Sequence, residues 1–512
     1  MRRYLAVATA LGLAVVGLGA STANGASGRI VQTASGTVQG VVKSNYRVFN
    51  GIPYAAPPVG TLRWKNPQPA ASWQGTRDAS KPGADCVQTA VAWRPAPAST
   101  NEDCLNLNVW APKSGKAKPV AVWFHGGGSI NGAGRDFEPV DMVTKGDLLV
   151  VTVNYRLGAL GYLTIPQLDA EGASGNYGLL DQVQALRWVH DNIARFGGDP
   201  SRVMIAGQSA GASGVCGLLA SPKAAGLFST AVIESSSCAV NTRASAQERN
   251  AGFVTALGCS ADVVACLRSK SPAEIINAQQ KAGTWGRVIQ PGVLPVAPRE
   301  AFATGAFNRV PVLLGAVQNE GRAAVYEQND LINQPVTAAS YVASITAQYG
   351  AKAADVLARY PVDKYESPGA ALAAVATDSG NACAAPVNAS ALTSTVPAYV
   401  YEFRDETAPL RPYELVPSSF SLATQHSAEL PYLWGSNTMT PLTKQQQKLS
   451  SAMIAYWAQF ARTGSLDPKG LPPVPRFQQT NQRIVAFDPD GPRITDDMTS
   501  NHQCSFWAHT NA

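Results

Sequence analysis

The chain has 512 residues, 45% of them apolar and only 15% charged, with 45 glycines and 35 prolines. That composition supports a sizeable core joined by many ordered loops and excludes a disordered or collagen-like chain. A formal charge of +6 without a basic run excludes an electrostatic case for nucleic acid.

The first segment, "MRRYLAVATALGLAVVGLGASTANGAS", sets Arg2 and Arg3 before an apolar run from Leu5 to Ala20, followed by the small residues Ser21-Thr22-Ala23. This is the pattern of a signal peptide, and the run is shorter than the ~20 residues that a membrane span needs. Residues 1–28 are therefore expected to be removed on export. The mature chain, 29–512, is expected to be secreted, with no stable membrane insertion. Arg2-Arg3 faintly resembles a twin-arginine signal and leaves the route open. Eight cysteines fit the same compartment: Cys86, Cys104, Cys216, Cys238, Cys259, Cys266, Cys383 and Cys504. None forms a C-x-x-C pair, and an even count in an exported chain points to disulfides rather than to a zinc or redox site. Spacing leaves the connectivity open.

Runs rich in Val, Ile and Leu then recur along the chain, with helical patterns between them. Pro119–Phe124, Asp147–Val153, Arg202–Gly207, Ser229–Ser235, Val310–Val317 and Ala398–Phe403 read as strands buried on both faces, which implies a large, mostly parallel sheet. Between the second and third runs, Val183, Leu186, Val189, Ile193 and Phe196 keep helical spacing, closed by Gly197-Gly198 and Pro200. The fold class is α/β, doubly wound, with helices on both faces of the sheet. Residues 321–391 are rich in alanine and lack a strong strand, which predicts a helical insertion acting as a cap. Near the end, Leu449, Met453, Trp457 and Phe460 share one helical face and predict a docked helix. No linker divides the mature chain, so it reads as a single domain.

Within this frame "VMIAGQSAGASG", Val203 to Gly214, crowds Gly, Ala and Ser around Ser209. A chain with 45 glycines offers such clusters by chance, but here a strand precedes the serine and a helix-forming segment comes after it. That is the setting of a nucleophile elbow, a turn too tight for large neighbours, with helix N–H groups aimed at the serine. "WFHGGGS", Trp123 to Ser129, ends another strand in three glycines, whose backbone N–H groups are suited to a developing oxyanion. No Lys-Ser/Thr follows, as a phosphate loop would require.

A nucleophilic serine needs a base. His125 belongs to the glycine loop, His190 to the helix between strands, and His509 to the terminus. His502, two residues before Cys504, is expected at the surface. His426, in the loop after Ala398–Phe403, stands at the edge of the sheet where open α/β folds bind ligands. Glu320, three residues beyond a buried strand, is the acid at that edge, and the order Ser209, Glu320, His426 is that of α/β hydrolases. The sequence calls for no cofactor and no metal.

Several long motifs in order carry a resemblance over nearly the whole mature chain: "FNGIPYAAPPVGTLRW", "NEDCLNLNVW", "HGGG", "VNYRLGALGY", "GNYGLLDQVQALRWVHDNIARFGGDP" and "GQSAGA". The chain resembles the type-B carboxylesterase and cholinesterase family of α/β hydrolases. The resemblance implies Ser209 as nucleophile, Glu320 as acid, His426 as base, and the N–H groups of Gly127, Gly128 and Ala210 as oxyanion hole. It also implies disulfides Cys86–Cys104 and Cys259–Cys266, with Cys383 and Cys504 a further candidate pair. The chain departs from the family in Ser129, where an aromatic residue is frequent, and in Glu234-Ser235-Ser236, where Gln-Ser-Gly is common. Cys216 and Cys238 are extra and a candidate pair; Trp93 is expected to pack at the rim.

The expected function is therefore a secreted serine esterase that acts on small carboxylic esters through an acyl-enzyme. A lipase would carry an amphipathic lid, and "CVQTAVAWRPAPASTNEDC" is proline-rich without one. An inactive binding relative would lack part of the triad.

Overall fold

The computed structural model describes residues 28–510, except 172, 173, 284, 437 and 438. All but the last residue of the expected leader lies outside the described residues.

Eleven strands form the main sheet. In chain order they are β1 (Val41–Val42), β2 (Tyr46–Pro53), β3 (Asn106–Pro112), β4 (Lys118–Phe124), β5 (Leu149–Val153), β6 (Gly198–Gln208), β7 (Thr230–Glu234), β8 (Val312–Val317), β9 (Ala398–Phe403), β10 (Ile484–Asp488) and β11 (Gly491–Thr495). Their spatial order is β11-β10-β9-β8-β7-β6-β4-β5-β3-β2-β1. Pairings from β5 through β4, β6, β7, β8 and β9 to β10 are parallel, and those at both flanks are antiparallel. Sequence patterning marks the six central strands, whose two faces are both apolar, and misses β10, although its Ile484 and Val485 also divide between the two cores. Val120, Val122 and Phe124 of β4 join one core while Ala121 and Trp123 join the other, and β6 divides Val203 and Ile205 from Met204 and Ala206 in the same way. Period two across two buried faces is what reads as an unbroken apolar run.

Helices cover both faces. Helix α1 (Tyr177–Asn192) and the tight turn Ile193–Phe196 bury Val183, Leu186, Val189, Ile193 and Phe196 in the first core. Gly197, at φ 97°, ends that turn, but β6 begins at once with Gly198 and contains Pro200. The proline is tolerated because it falls in the irregular stretch between the pairs Lys118–Gly198 and Val120–Val203. Helix α2 (Ala210–Ala220) comes directly after the Ser209 turn at the end of β6. Between β8 and β9 lie α3 (Gly321–Gln328), α4 (Ala338–Tyr349), α5 (Ala353–Arg359), α6 (Pro368–Thr377) and α7 (Cys383–Leu392). Residues from α3 to α6 make a third core, around Tyr326, Tyr341, Tyr360 and Trp507. Helix α8 (Lys444–Thr463) seats Leu449, Met453, Trp457 and Phe460 on the second face. The C-terminal α9 (Cys504–Thr510) returns to the third core.

The structure joins Cys86 to Cys104, Cys216 to Cys238, Cys259 to Cys266 and Cys383 to Cys504, leaving no free cysteine among the described residues. No described helix is long and apolar enough to cross a membrane.

Candidate active site

Ser209 stands between β6 and α2 at φ 55°, ψ −122°. A non-glycine residue in that region is strained by ~1–3 kcal/mol and persists only where its surroundings hold it. Here they do: Ser209 N–H donates to the Glu234 carbonyl at 2.9 Å, and Ser213 N–H donates back to the Ser209 carbonyl at 2.9 Å. The small neighbours are a steric necessity. A Cβ on Gly211 would lie 1.9 Å from the Phe124 carbonyl oxygen, and one on Gly207 would lie 2.6 Å from the Gly211 backbone.

The glycine loop leaves the end of β4 with Gly127 at φ 108° and Gly128 at φ 62°. The N–H groups of Gly127, Gly128 and Ala210 donate to no described residue. His125 is buried, stacks on Tyr155 with ring centroids 4.5 Å apart, and places Nδ1 2.8 Å from the Gly126 carbonyl. Burial pushes its imidazole down to about 4, so it is neutral.

Glu320 opens α3 just beyond β8, and His426 lies in the loop beyond β9. The two turns are stitched together by Asn319, whose N–H donates to the Thr424 carbonyl and whose amide donates to the Ala423 carbonyl, both at 3.1 Å. Glu320 Oε2 lies 2.5 Å from His426 Nδ1, and Oε1 accepts the Val317 N–H at 3.0 Å. Burial alone would push the Glu320 carboxyl up. The charge and hydrogen bond of His426, with the Val317 N–H, outweigh it and hold the carboxyl below its ordinary range. Burial likewise opposes charge on His426, and the carboxylate of Glu320 overrides it and raises the imidazole.

His426 Nε2 meets the side-chain nitrogen of Gln208 at 3.0 Å. The structure thus brings Glu320 and His426 into contact, while His426 Nε2 faces Gln208 rather than Ser209 Oγ. Gln208, Ser209, His426 and Gly126–Gly128 share a cavity of about 650 Å³ with Trp93 and Asn381. A second cavity of about 650 Å³ adjoins it, and Trp93, Phe137, Arg411 and Leu430 line both. Trp93 is more than a rim residue: it packs on the third core, and its ring edge would be 3.2 Å from a Cβ on Gly127.

Two features are not anticipated from the sequence. His502, expected at the surface, is buried, with Nδ1 2.6 Å from Asp378 and Nε2 2.5 Å from Glu402. Paired carboxylates hold its imidazolium well above the ordinary range, at about 10, despite the cost of burial. The other addition is a pair of carboxyls that sequence reasoning passed over. Glu234 accepts indole N–H bonds from Trp434 and Trp457, and Glu429, three residues after His426, is fully buried with no hydrogen-bond partner on either oxygen. Burial pushes both up to about 8. Only the Glu-Ser-Ser departure signalled either. Among the described residues no group of His, Cys, Asp and Glu is arranged to hold a metal.

Residues 27–507 match the sequence profile of the carboxylesterase family. The chain is 35% identical over 485 residues to the fumonisin B1 esterase of Sphingopyxis macrogoltabida, covering 89% of this chain and 85% of that one. It is 31% identical over 480 residues to the para-nitrobenzyl esterase of Bacillus subtilis, covering 89% and 94%. Among solved structures, a PNB esterase superposes with a TM-score of 0.78 at 31% identity, covering 93% of this chain and 99% of that one. A thermophilic PNB esterase reaches 0.80 at 29% identity with the same coverage. An α/β-hydrolase sheet, the placement of Ser209, Glu320 and His426 at one edge of it, and these likenesses agree: the chain belongs to the carboxylesterase family and is a carboxylic ester hydrolase of type B.

Proposed function

We propose that the protein is a secreted serine esterase in which Ser209 is the nucleophile, His426 the general base and Glu320 the acid. Neutral His426 takes the Ser209 proton at Nε2 as Oγ attacks the ester carbonyl. The oxyanion is received by the N–H groups of Gly127, Gly128 and Ala210, and Glu320 stabilises the imidazolium. The imidazolium then gives its proton to the leaving alkoxide, and water repeats the sequence on the acyl-enzyme. The Gln208 contact has to give way to Ser209 Oγ for the first transfer.

The observation that carries this reading is the 2.5 Å contact of His426 with a buried carboxylate at the strand edge that also bears the strained serine turn. Relatives named for fumonisin B1 and para-nitrobenzyl esters support small carboxylic esters as the substrate class. Four disulfides support passage through an oxidising compartment. A fluorophosphonate probe should add once, at Ser209. Labelling or ester turnover that persists in Ser209→Ala would remove the assignment.

A further inference from the structure

Helices α6 and α7 do not run on as one helix. The turn between them, Asp378–Ala382, is kinked, with Gly380 at non-helical φ −104°, ψ −124°. A kink of this kind changes the direction of the chain, so the residue after it presents its side chain where a continuous helix would not.

Here the displaced residue is Asn381, which lines the cavity that holds Ser209. Its Nδ2 donates to Glu320 Oε2 at 3.4 Å, the same oxygen that faces His426 Nδ1. Just before the turn, Thr377 Oγ1 accepts the Gly321 N–H at 2.8 Å, so the segment grips both Glu320 and its successor. On its far side Asp378 is bonded to His502 and to the Tyr360 hydroxyl, at 2.6 and 2.7 Å. His502 is tied in turn to Glu402 of β9, and the Cys383–Cys504 disulfide joins α7 to α9.

We propose that Asn381 is a positioning residue of the esterase site: it fixes the Glu320 carboxylate toward His426, and the Asp378–His502 clamp fixes Asn381. The inference rests on the triad reading above. An amide donor on Oε2 also shares that oxygen's charge, so its removal leaves the carboxylate a stronger partner for the imidazolium and raises the pH at which His426 becomes neutral. The other charged groups that bear on His426, namely Glu429 and Arg411, are untouched by the substitution.

The test is steady-state kinetics against pH on a water-soluble short-chain ester, with Asn381→Leu, Asn381→Asp and Asn381→Ser. Asn381→Leu should lower kcat about tenfold, the order expected for one hydrogen bond to a charged group, with KM changed less than about twofold. Its acid limb in kcat/KM should move up by about half a pH unit, the counterpart of weakening one such bond. Asn381→Asp should move the limb further in the same direction, and Asn381→Ser, with a shorter donor, should lie between Leu and wild type. Asp378→Asn, which weakens the clamp, should reproduce a smaller form of the Leu profile. A Leu variant with wild-type kcat and an unmoved limb would overturn the proposal. A loss confined to KM, or a lower Tm with unchanged kinetics in the folded enzyme, would overturn it equally. Ser209→Ala, assayed alongside, keeps the two readings apart: failure of the triad appears as activity in that variant, whereas failure of the positioning role appears as indifferent Asn381 variants beside an inactive Ser209→Ala.

Discussion

His426 is held from two sides, with Nδ1 2.5 Å from the Glu320 carboxylate and Nε2 3.0 Å from the Gln208 amide nitrogen. The acid is buried and the ring is partly exposed to the cavity. The imidazole is therefore raised above its ordinary value, and the proposed role as general base requires its neutral form. kcat/KM should rise with pH through an apparent pKa above about 6.5 and then level. Glu320→Gln removes the charge that raises it, so the acid limb should move down, and kcat should fall by up to about 10⁴, as for the matching change in a serine protease. Retention of more than about a tenth of wild-type kcat would assign the acid elsewhere.

Gly211→Ala is expected to be far more damaging than its single methyl implies. The new Cβ would meet the Phe124 carbonyl at 1.9 Å, against backbone, where no side chain can turn away. Overpacking of this kind costs about 3 kcal/mol or more, and it displaces the helix that carries the Ala210 N–H. A lowered Tm together with lost turnover is the expected outcome; a variant with wild-type Tm would show that the elbow is less tight than these distances state.

Glu234 bears on stability rather than on the reaction. Its carboxyl is pushed by burial to about 8, so between the ordinary carboxyl range and about 8 the folded chain holds a proton that the unfolded chain has released. Stability therefore falls as pH rises through that window, and the whole penalty is present above it. In Glu234→Gln one amide oxygen can accept both indole N–H bonds, which reach Glu234 Oε1 at 3.3 Å from Trp434 and 3.0 Å from Trp457. Tm of this variant should exceed wild type above about pH 8, with a flatter pH dependence. A steeper dependence would contradict the assignment.

The disulfide between Cys383 and Cys504 closes the longest loop, with a sequence separation of 121, and on the loop-entropy model contributes about 5 kcal/mol. Replacing both cysteines by serine should lower Tm more than the same change at Cys259 and Cys266, whose separation is 7. Non-reducing peptide mapping should find four bridges and no free thiol in the native protein.

The amino-acid sequence by itself determined the central strands, the docked helices and the tight turn at Ser209, because each rests on local physics. Two-faced burial writes an unbroken apolar run, an amphipathic helix writes a 3.6-residue period, and a tight turn around a serine admits only small neighbours. The flanking antiparallel strands left a weaker trace. Pro200 even reads as a terminator, although β6 has already begun, since its tolerance depends on a bulge against β4 that only pairing defines. Only the tertiary structure decided what surrounds the acid and the histidine. Asn381 reaches Glu320 across 61 positions, and His502 reaches Asp378 across 124 and Glu402 across 100. A carboxylate and an imidazole acquire shifted proton affinities from neighbours in space and from loss of water, and neither is a property of the residues beside them in the chain.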